Sequence, residues 1–335
     1  MEEPFKIKKM NFDNKLNNYF ANLTVKLSSK PAENLVHIYA DYVEIVSLFS
    51  NQNYVSTTDI LDRFHDEGII LKNKQDEEQA ADNDQNERWI NSIYRVLLER
   101  QQLYNNDYPF DFFGNNKIKL KNVGQLTDKN KLYIFLLLAS SLNIFGSFEP
   151  ELTSEFELVC YHVLGKYLPQ HATVKSFGKN TTYTGTAIEK IKNLAADLKV
   201  EVDDDFLNKI SARGNMERGL DIIGWISFSD NVPNHLSLLC QCACGKEWYK
   251  KLTETRRYEK YYKFYCNKPN HAMFIPYSLI NYHDSDFHQA DELSVDTLLF
   301  ERKRIINYVD DFTFFIPLNS KKLVDKCIEF EEDIV

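Results

Sequence analysis

The chain has 335 residues, and its 40 lysines and arginines against 49 aspartates and glutamates give a formal charge of −9. That charge argues against a protein that coats nucleic acid with its whole surface. Six cysteines are too few for a disulfide-held secreted scaffold. The polar N-terminus and the lack of an apolar run of about 20 residues predict a cytoplasmic protein without a membrane span.

The first 150 residues are predicted to form a mainly helical domain. Apolar residues recur at helical spacing in four segments of this part of the chain. These segments are 31–49, 55–64, 89–103 and 131–142. The pattern at 117–123 is typical of a strand, and the acidic run 75–87 lacks periodicity and is predicted to be a solvated, disordered loop. The domain is expected either to dock a partner protein or to contact nucleic acid.

From residue 151 to 335 helical and strand-like segments alternate, which predicts an α/β domain. Helical spacing covers 151–164 and 186–199. The predicted strands are 172–177, 219–225 and 238–244, with further strands or apolar connectors at 272–280, 297–300 and 312–318. A turn-rich piece joins 219–225 to 238–244, so these two runs are predicted to pair as a hairpin.

Each hairpin run places one polar, metal-capable side chain among apolar residues. Asp221 interrupts the first run, and Gln241 interrupts the second. A buried acid costs free energy unless a cation or hydrogen-bond donors satisfy it, so a functional site is expected here. The pattern resembles the PD-(D/E)XK, or restriction-endonuclease-like, nuclease superfamily over roughly residues 152–309. The resemblance implies a mixed central sheet flanked by helices, preceded here by the helical domain.

The resemblance also implies a site for Mg²⁺ or Mn²⁺ that hydrolyses a phosphodiester. Asp221 and Gln241 would hold the ion through a carboxylate and an amide oxygen. Glu157, on the preceding helix, would be a third ligand. The alternative for Glu157 is a capping role at the start of that helix, opposite Ser154.

The lysine of the family's motif is displaced in this sequence. Ala243 stands two residues after Gln241, where the family has its lysine. A helix is predicted to begin at 245, and Lys246 or Lys251 on it would take the role. Such a lysine would orient the nucleophilic water or stabilise the developing negative charge.

A basic and aromatic stretch follows the second hairpin strand, over 246–268. Basic residues suit phosphates, and aromatic rings can stack on unpaired bases. The residues predicted to contact nucleic acid are Lys250, Arg256, Arg257, Lys260 and Lys263. The alternative is an amphipathic helix whose tyrosines are core and whose charges are solvated.

The cysteines at and after the second strand support a competing hypothesis, a structural zinc site. Its ligands would come from Cys240, Cys242, Cys244, Cys266 and His271. Alternate residues of an extended strand lie about 7 Å apart, which is too wide for one ion unless the strand bends. Free cysteine is also a common core residue.

The sequence is accordingly interpreted as a metal-dependent endonuclease, with DNA favoured over RNA as substrate. The resemblance implies a role in prokaryotic restriction or anti-phage defence beside a helicase or ATPase partner, and the chain is a candidate homo-oligomer. The main alternative is a catalytically inactive nuclease-like scaffold that binds nucleic acid or a partner protein. Gln241 and Ala243, which depart from the family's pattern, motivate this alternative.

Overall fold

A computed structural model describes residues 3–331, except 28–29, 52, 71–75, 212–217, 229, 231, 234, 266 and 294–295. The protein is mixed α/β, and its chain divides into two compact units. The first unit comprises Met1–Glu151, Tyr277–His288 and Phe312–Val335, and the second comprises Leu152–Pro276 and Gln289–Asp311.

The helices and strands of the described chain are numbered separately in chain order. The helices are α1 (Glu3–Phe20), α2 (Val36–Leu48), α3 (Thr57–Asp66), α4 (Asp76–Tyr104), α5 (Asp128–Ser140), α6 (Leu142–Phe145), α7 (Glu149–Tyr167), α8 (Ala187–Leu198), α9 (Asp204–Leu207), α10 (Tyr258–Tyr261), α11 (Arg302–Asn307) and α12 (Asn319–Ile328). The strands are β1 (Val55–Ser56), β2 (Phe110–Phe112), β3 (Lys117–Leu120), β4 (Thr173–Ser176), β5 (Glu201–Val202), β6 (Ile222–Ile226), β7 (Leu236–Cys242), β8 (Tyr262–Lys263), β9 (Asn270–Phe274), β10 (Ile280–Asn281), β11 (Asp286–Phe287) and β12 (Thr297–Phe300). Over the part of the chain that the structure describes, no single helix is both long and apolar enough to cross a membrane.

The C-terminal residues are distributed differently from the division into 1–150 and 151–335 that the sequence suggested. The segments Tyr277–His288 and Phe312–Val335 belong to the first unit. Helix α12 packs there against α1 and α5, with Leu323, Val324 and Cys327 buried. The spacing of a short amphipathic helix does not specify which surface covers it, so the sequence pattern could not assign α12 to a unit.

The first unit is helical in the segments predicted to be helices, and one segment predicted to be a loop is also helical. Helices α2, α3 and α5 overlap the predicted ones, and β3 lies within the predicted strand. The run 75–87, predicted as a disordered loop, instead lies almost wholly in the long helix α4, which begins at Asp76. That run lacks glycine and proline, and its Glu, Gln and Ala residues are good helix formers. The helix preference of these residue types therefore prevails over the missing apolar stripe.

An ionic cluster lies in the core of the first unit, between α2 and α4. Arg100 is 2% exposed, and its Nη1 lies 2.8 Å from Asp41 Oδ1 and 3.0 Å from Glu44 Oε1. The hydroxyls of Tyr108 and Tyr133 both donate to Glu44 Oε1 at 2.8 Å. Burial raises the pKa of Tyr108, and the negative charge of Glu44 raises it further. Each buried charge of this cluster depends on the others for compensation.

A five-stranded mixed sheet forms the centre of the second unit, in the order β12-β9-β7-β6-β4. Strands β4, β6 and β7 pair antiparallel, whereas β9 and β12 continue the sheet in parallel. The predicted hairpin is confirmed, because Ile222 of β6 lies opposite Cys240 of β7 and Ile226 lies opposite Leu236. The two runs that carry Asp221 and Gln241 are therefore neighbours in the sheet.

Helices cover both faces of this sheet. Helix α7 and the residue after it pack on one face so closely that a Cβ on Gly224 of β6 would collide with Leu168 and press against Leu164. On the other face, Leu239 of β7 packs into a core with Leu194 of α8 and Tyr258 of α10. Side chains alternate between faces along a strand, so each position on β7 belongs either to the α7 side or to the α8 side.

The first unit is expected to lose stability at acid pH through His288. The ring of His288 stacks on that of His37 with centroids 5.8 Å apart. Burial, together with the positive charge of Arg100, lowers the pKa of His288 from 6.5 to about 4. Because the folded pKa lies below the unfolded one, the contribution of neutral His288 is complete above pH 6.5 and is lost as the pH falls towards 4.

This pH dependence is measured by urea unfolding of the protein between pH 6.5 and pH 4. We expect His288→Gln to reduce the decline of the unfolding midpoint over that interval. The matched control is His283→Gln, in the same segment, because the His283 side chain is 61% exposed. An unchanged decline in His288→Gln would contradict the assignment.

Candidate functional site

Asp221 lies directly before β6, where β7 ends. It is 6% exposed, and its Oδ2 accepts a hydrogen bond from the N–H of Cys242 at 2.7 Å. Its backbone N–H donates to the carbonyl of Cys240 at 3.0 Å. Its own carbonyl accepts from the N–H groups of Phe177 and Gly178, at 2.7 and 2.9 Å. Asp221 is thus fixed between the ends of β4 and β7.

Glu157 brings a second carboxylate from α7 to the same place. It is 7% exposed, and its Oε2 accepts a hydrogen bond from the N–H of Lys179 at 2.9 Å. A Cβ placed on Gly178 would lie 2.7 Å from Glu157 Oε2 and 2.8 Å from Asp221 Oδ1. The two oxygens are therefore no farther apart than the sum of these distances, and any side chain at 178 would collide with both. The structure brings Glu157 and Asp221 together, and we call them the carboxylate pair.

The position of Glu157 in its helix bears on the capping alternative. Helix α7 begins at Glu149, about two turns before Glu157. Glu157 is therefore an interior residue of α7, and its carboxylate is directed to the loop after β4 instead of the helix's own first turn. The capping explanation assumed that the helix begins at Ser154, but α7 starts earlier.

The carboxylate pair lies on the α7 side of the sheet, close to buried thiols. Burial raises the pKa of Cys160, and the negative charges of Glu157 and Asp221 raise it further. Burial also raises the pKa of Cys240, to which Cys160 and Asp221 add. These neighbours disfavour additional negative charge, so the surroundings of the pair favour a positive partner.

Gln241 is placed apart from the carboxylate pair. It shares the face of Leu239, which packs with α8, and is therefore directed away from α7. Its Nε2 donates to Glu254 Oε2 at 2.6 Å, and its buried Oε1 has no hydrogen-bond partner among the described residues. Leu220 packs on the α8 side, which turns Asp221 towards α7. The side chains of Gln241 and Asp221 are therefore directed to opposite sides of the sheet, although the two residues sit at the same end of adjacent strands.

Glu254 is a partner that the sequence did not single out. It begins a short 3₁₀ helix, Glu254–Arg257, which packs over the α8 side of β7. A Cβ on Gly219 would lie 2.7 Å from Glu254 Cβ, so this glycine permits the close approach. Gly219 also has φ +85°, which a residue with a side chain adopts rarely. An acid inside a basic stretch carries no sequence signal for such a contact.

The described residues give the zinc hypothesis no ligand cluster. His271 bonds through Nδ1 to Thr255 Oγ1 at 2.9 Å and through Nε2 to Glu259 Oε1 at 3.0 Å. Cys266 lies outside the described residues. Among the residues that are described, no group of three or more His, Cys, Asp or Glu side chains is arranged to hold a metal ion. The contacts of His271 tie β9 to the segment that carries Glu254.

Lys246 and Lys251 do not begin a regular α-helix, contrary to the sequence prediction. A turn is followed by a 3₁₀ helix, Trp248–Lys251, in which the buried Trp248 anchors the segment. Burial raises the pKa of Cys244, whereas the positive charges of Lys179 and Lys251 lower it. These two lysines therefore approach the thiol just beyond the end of β7. Lys246 is exposed.

Most aromatic residues of 246–268 belong to the core. Trp248, Tyr258, Tyr261 and Tyr262 are each at most 6% exposed. The predicted stacking on nucleic-acid bases is therefore wrong for these four rings. Tyr265 is 69% exposed. The segment folds as short turns against the sheet, which buries its rings in a way that helical spacing could not indicate.

The basic residues of the same stretch lie at the surface, mostly in ion pairs. The pairs are Lys250 with Glu247, Arg256 with Asp296, Arg257 with Glu254, and Lys263 with Glu201. Lys260 is exposed. Ion pairs between exposed side chains contribute about 0–1 kcal/mol, so a phosphate is able to replace the acid as partner. Contact of this surface with nucleic acid stays a prediction.

The carboxylate pair fits a divalent ion held in part by solvent or substrate. It supplies two hard oxygen ligands, and Mg²⁺ takes one or two carboxylates from a protein while keeping several waters. The space that a Cβ at Gly178 would fill lies against both carboxylates. No protein-family model, no curated protein and no solved structure matches this chain.

Proposed function

We propose that the second unit is a metal-dependent phosphodiesterase that cleaves nucleic acid, with DNA favoured over RNA. Glu157 and Asp221 hold Mg²⁺ or Mn²⁺. The observation that carries the proposal is the convergence of these two buried carboxylates on the position that a Cβ of Gly178 would occupy. Neither Gln241 nor Lys246 is needed for it.

The pair favours a divalent cation for electrostatic reasons. Two buried carboxylates that both lie against the Cβ position of Gly178 disfavour each other's charge, and a divalent ion bound by both of them offsets that repulsion. Each of them accepts a backbone N–H, from Cys242 in one case and Lys179 in the other. Such donors stabilise the ionised form of a carboxylate, which favours the cation.

When bound, the divalent ion neutralises charge on the phosphoryl oxygens and activates a water molecule. The chain's own residues orient the ligands. The N–H of Cys242 fixes Asp221, and the N–H of Lys179 fixes Glu157. Glu157 lies within α7, and Asp221 lies directly before β6. Because the helix and the sheet are packed against each other, the two carboxylates move little between turnovers.

The restriction-endonuclease-like fold is part of the proposal. The resemblance implies a helix with a glutamate followed by a strand with an aspartate, and α7 with Glu157 precedes Asp221 and the strand β6 that follows it, in that order. A mixed sheet with helices on both faces agrees with the same expectation. The setting in prokaryotic defence, the helicase or ATPase partner and self-association rest on the resemblance alone and stay predictions.

The proposal is tested by incubating the purified protein with plasmid DNA, linear DNA and RNA, each with Mg²⁺ or Mn²⁺ and with EDTA. We expect metal-dependent cleavage that is lost in Asp221→Asn and in Glu157→Gln. The matched control is Asp204→Asn, because Asp204 is an exposed acid of the same unit paired with Lys192. Cleavage that persists in both site variants would exclude the carboxylate pair as the active site.

A catalytically inactive scaffold is the second candidate, and two observations favour it. Gln241 donates a hydrogen bond to Glu254, and Ala243 stands at the position where the family's motif has a lysine. This candidate predicts binding of nucleic acid or of a partner protein without cleavage under any metal condition. Retained binding of labelled DNA by Asp221→Asn, with no cleavage by the wild type, would favour the scaffold.

A further inference from the structure

The loop that follows β4 is fastened to α7 at three points. The N–H of Lys179 donates to Glu157 Oε2 at 2.9 Å, and the Lys179 amine donates to Thr153 Oγ1 at 2.6 Å. The side-chain amide of Asn180 donates to the carbonyl of Ser154 at 2.8 Å. Gly178, the preceding residue, lies so close to both carboxylates that a Cβ there would collide with them. One short loop therefore packs against the carboxylate pair and carries a positive charge to the same side of α7.

The Lys179 amine lies at the surface, on the side of α7 that carries Glu157. Lys179 is exposed, whereas Glu157 and Asp221 are 7% and 6% exposed. Thr153, its partner, lies about one helical turn from Glu157 on the same side of α7, because residues four apart share a helix face. The hydroxyl of Thr153 is neutral, so an anion that enters from solvent competes with it favourably for the ammonium group.

The charge balance of the proposed complex of protein, divalent ion and phosphodiester also favours a role for the Lys179 amine. Two carboxylates balance one divalent cation, and a phosphodiester adds one negative charge in a place where Asp221 and Glu157 already disfavour negative charge. One ammonium group restores neutrality. Lys251 approaches the same region, but it is not joined to the pair by a hydrogen bond, whereas the backbone of Lys179 is bonded to Glu157.

We propose that Lys179 is the substrate-binding amine of this site. Its Nζ leaves Thr153 and binds a non-bridging phosphate oxygen of the nucleic acid beside the cation. The inference rests on the proposed function, and it assigns to the loop after β4 the amine that the sequence placed after Gln241. Lys179 contacts substrate in this scheme and does not hold the metal.

The inference is tested by measuring Mn²⁺ affinity by calorimetry and the single-turnover cleavage rate of a DNA duplex in the same variants. We expect Lys179→Met to slow cleavage about tenfold, which corresponds to loss of one solvent-exposed charge contact. Its Mn²⁺ affinity should be unchanged, because the substitution keeps the backbone N–H that orients Glu157. Lys179→Arg should retain most of the rate, since it keeps the charge.

The matched control is Lys192→Met, at an exposed lysine of the same unit that pairs with Asp204. It should cleave as fast as the wild type, and thermal melting verifies that all variants are folded. Wild-type cleavage by Lys179→Met together with an inactive Asp221→Asn would overturn the inference and leave the proposed function intact. Loss of Mn²⁺ affinity in Lys179→Met would also overturn it, because Lys179 would then act on Glu157. No Mn²⁺ binding and no cleavage by the wild type would overturn the proposed function itself.

Discussion

Replacing Arg100 by methionine is expected to destabilise the first unit by about 3–5 kcal/mol, the usual cost of removing one partner of a buried ion pair. Asp41 and Glu44 lie 2.8 and 3.0 Å from Arg100 Nη1 and are 3% and 0% exposed. Methionine fills similar space but removes the cation that lies beside both buried carboxylates. Burial opposes the charge of Arg100, yet Glu44 and Asp41 raise its pKa well above the usual value, which indicates how strongly the pair holds it.

The measurement is the free energy of urea unfolding followed by circular dichroism. The control is Arg95→Met, because Arg95 lies on the same helix with its side chain 71% exposed, and we expect a change within about 0.5 kcal/mol there. Adding Glu44→Gln to Arg100→Met should recover part of the loss, since it removes one uncompensated charge. Equal stability of the Arg100 and Arg95 variants would mean that the cluster is not held by its charges.

The parts of the fold that were predictable are those in which one element's own pattern decides its structure. The apolar spacing of α2 and α5 and the turn between β6 and β7 each carry a local signal, and each element formed. The acidic start of α4 has no apolar stripe, so the periodicity rule missed a helix that backbone propensity supports. Helix α12 was not predicted from the sequence, and tertiary packing decides that it belongs to the first unit.

The part of the candidate site that was predictable is the residue whose charge conflicts with the apolar residues around it in the sequence. Asp221 among apolar residues was such a conflict, and the structure places Glu157 beside it. Regular strand alternation places Asp221 and Gln241 on the same face of the sheet, and the reversal at Leu220 that directs Asp221 to the α7 side has no sequence signature. Lys179 and Glu254 reach their positions from other elements, so no spacing within one motif identifies them.

Mn²⁺ is expected to stabilise the second unit, and Glu157→Gln is expected to abolish that effect. A ligand that binds only the folded state adds about 2.7 kcal/mol at a concentration of 100 times its Kd. Without metal, the glutamine variant should be at least as stable as the wild type. The reason is that glutamine removes the repulsion between the carboxylates and keeps an oxygen to accept the N–H of Lys179. Thermal melting after EDTA treatment, with and without added Mn²⁺, measures both effects.

The control for this experiment is Glu201→Gln, the same substitution at a side chain that is 83% exposed. It should melt like the wild type in EDTA and gain the same stability from Mn²⁺. The opposite signs expected for Glu157→Gln in the two conditions distinguish a cation site from a pair that shares a proton. A shared proton needs no metal, so Mn²⁺ would leave the wild type unchanged, and removing the acid would then break a hydrogen bond and lower the melting temperature in EDTA. That outcome would contradict the metal site whatever the cleavage assays detect.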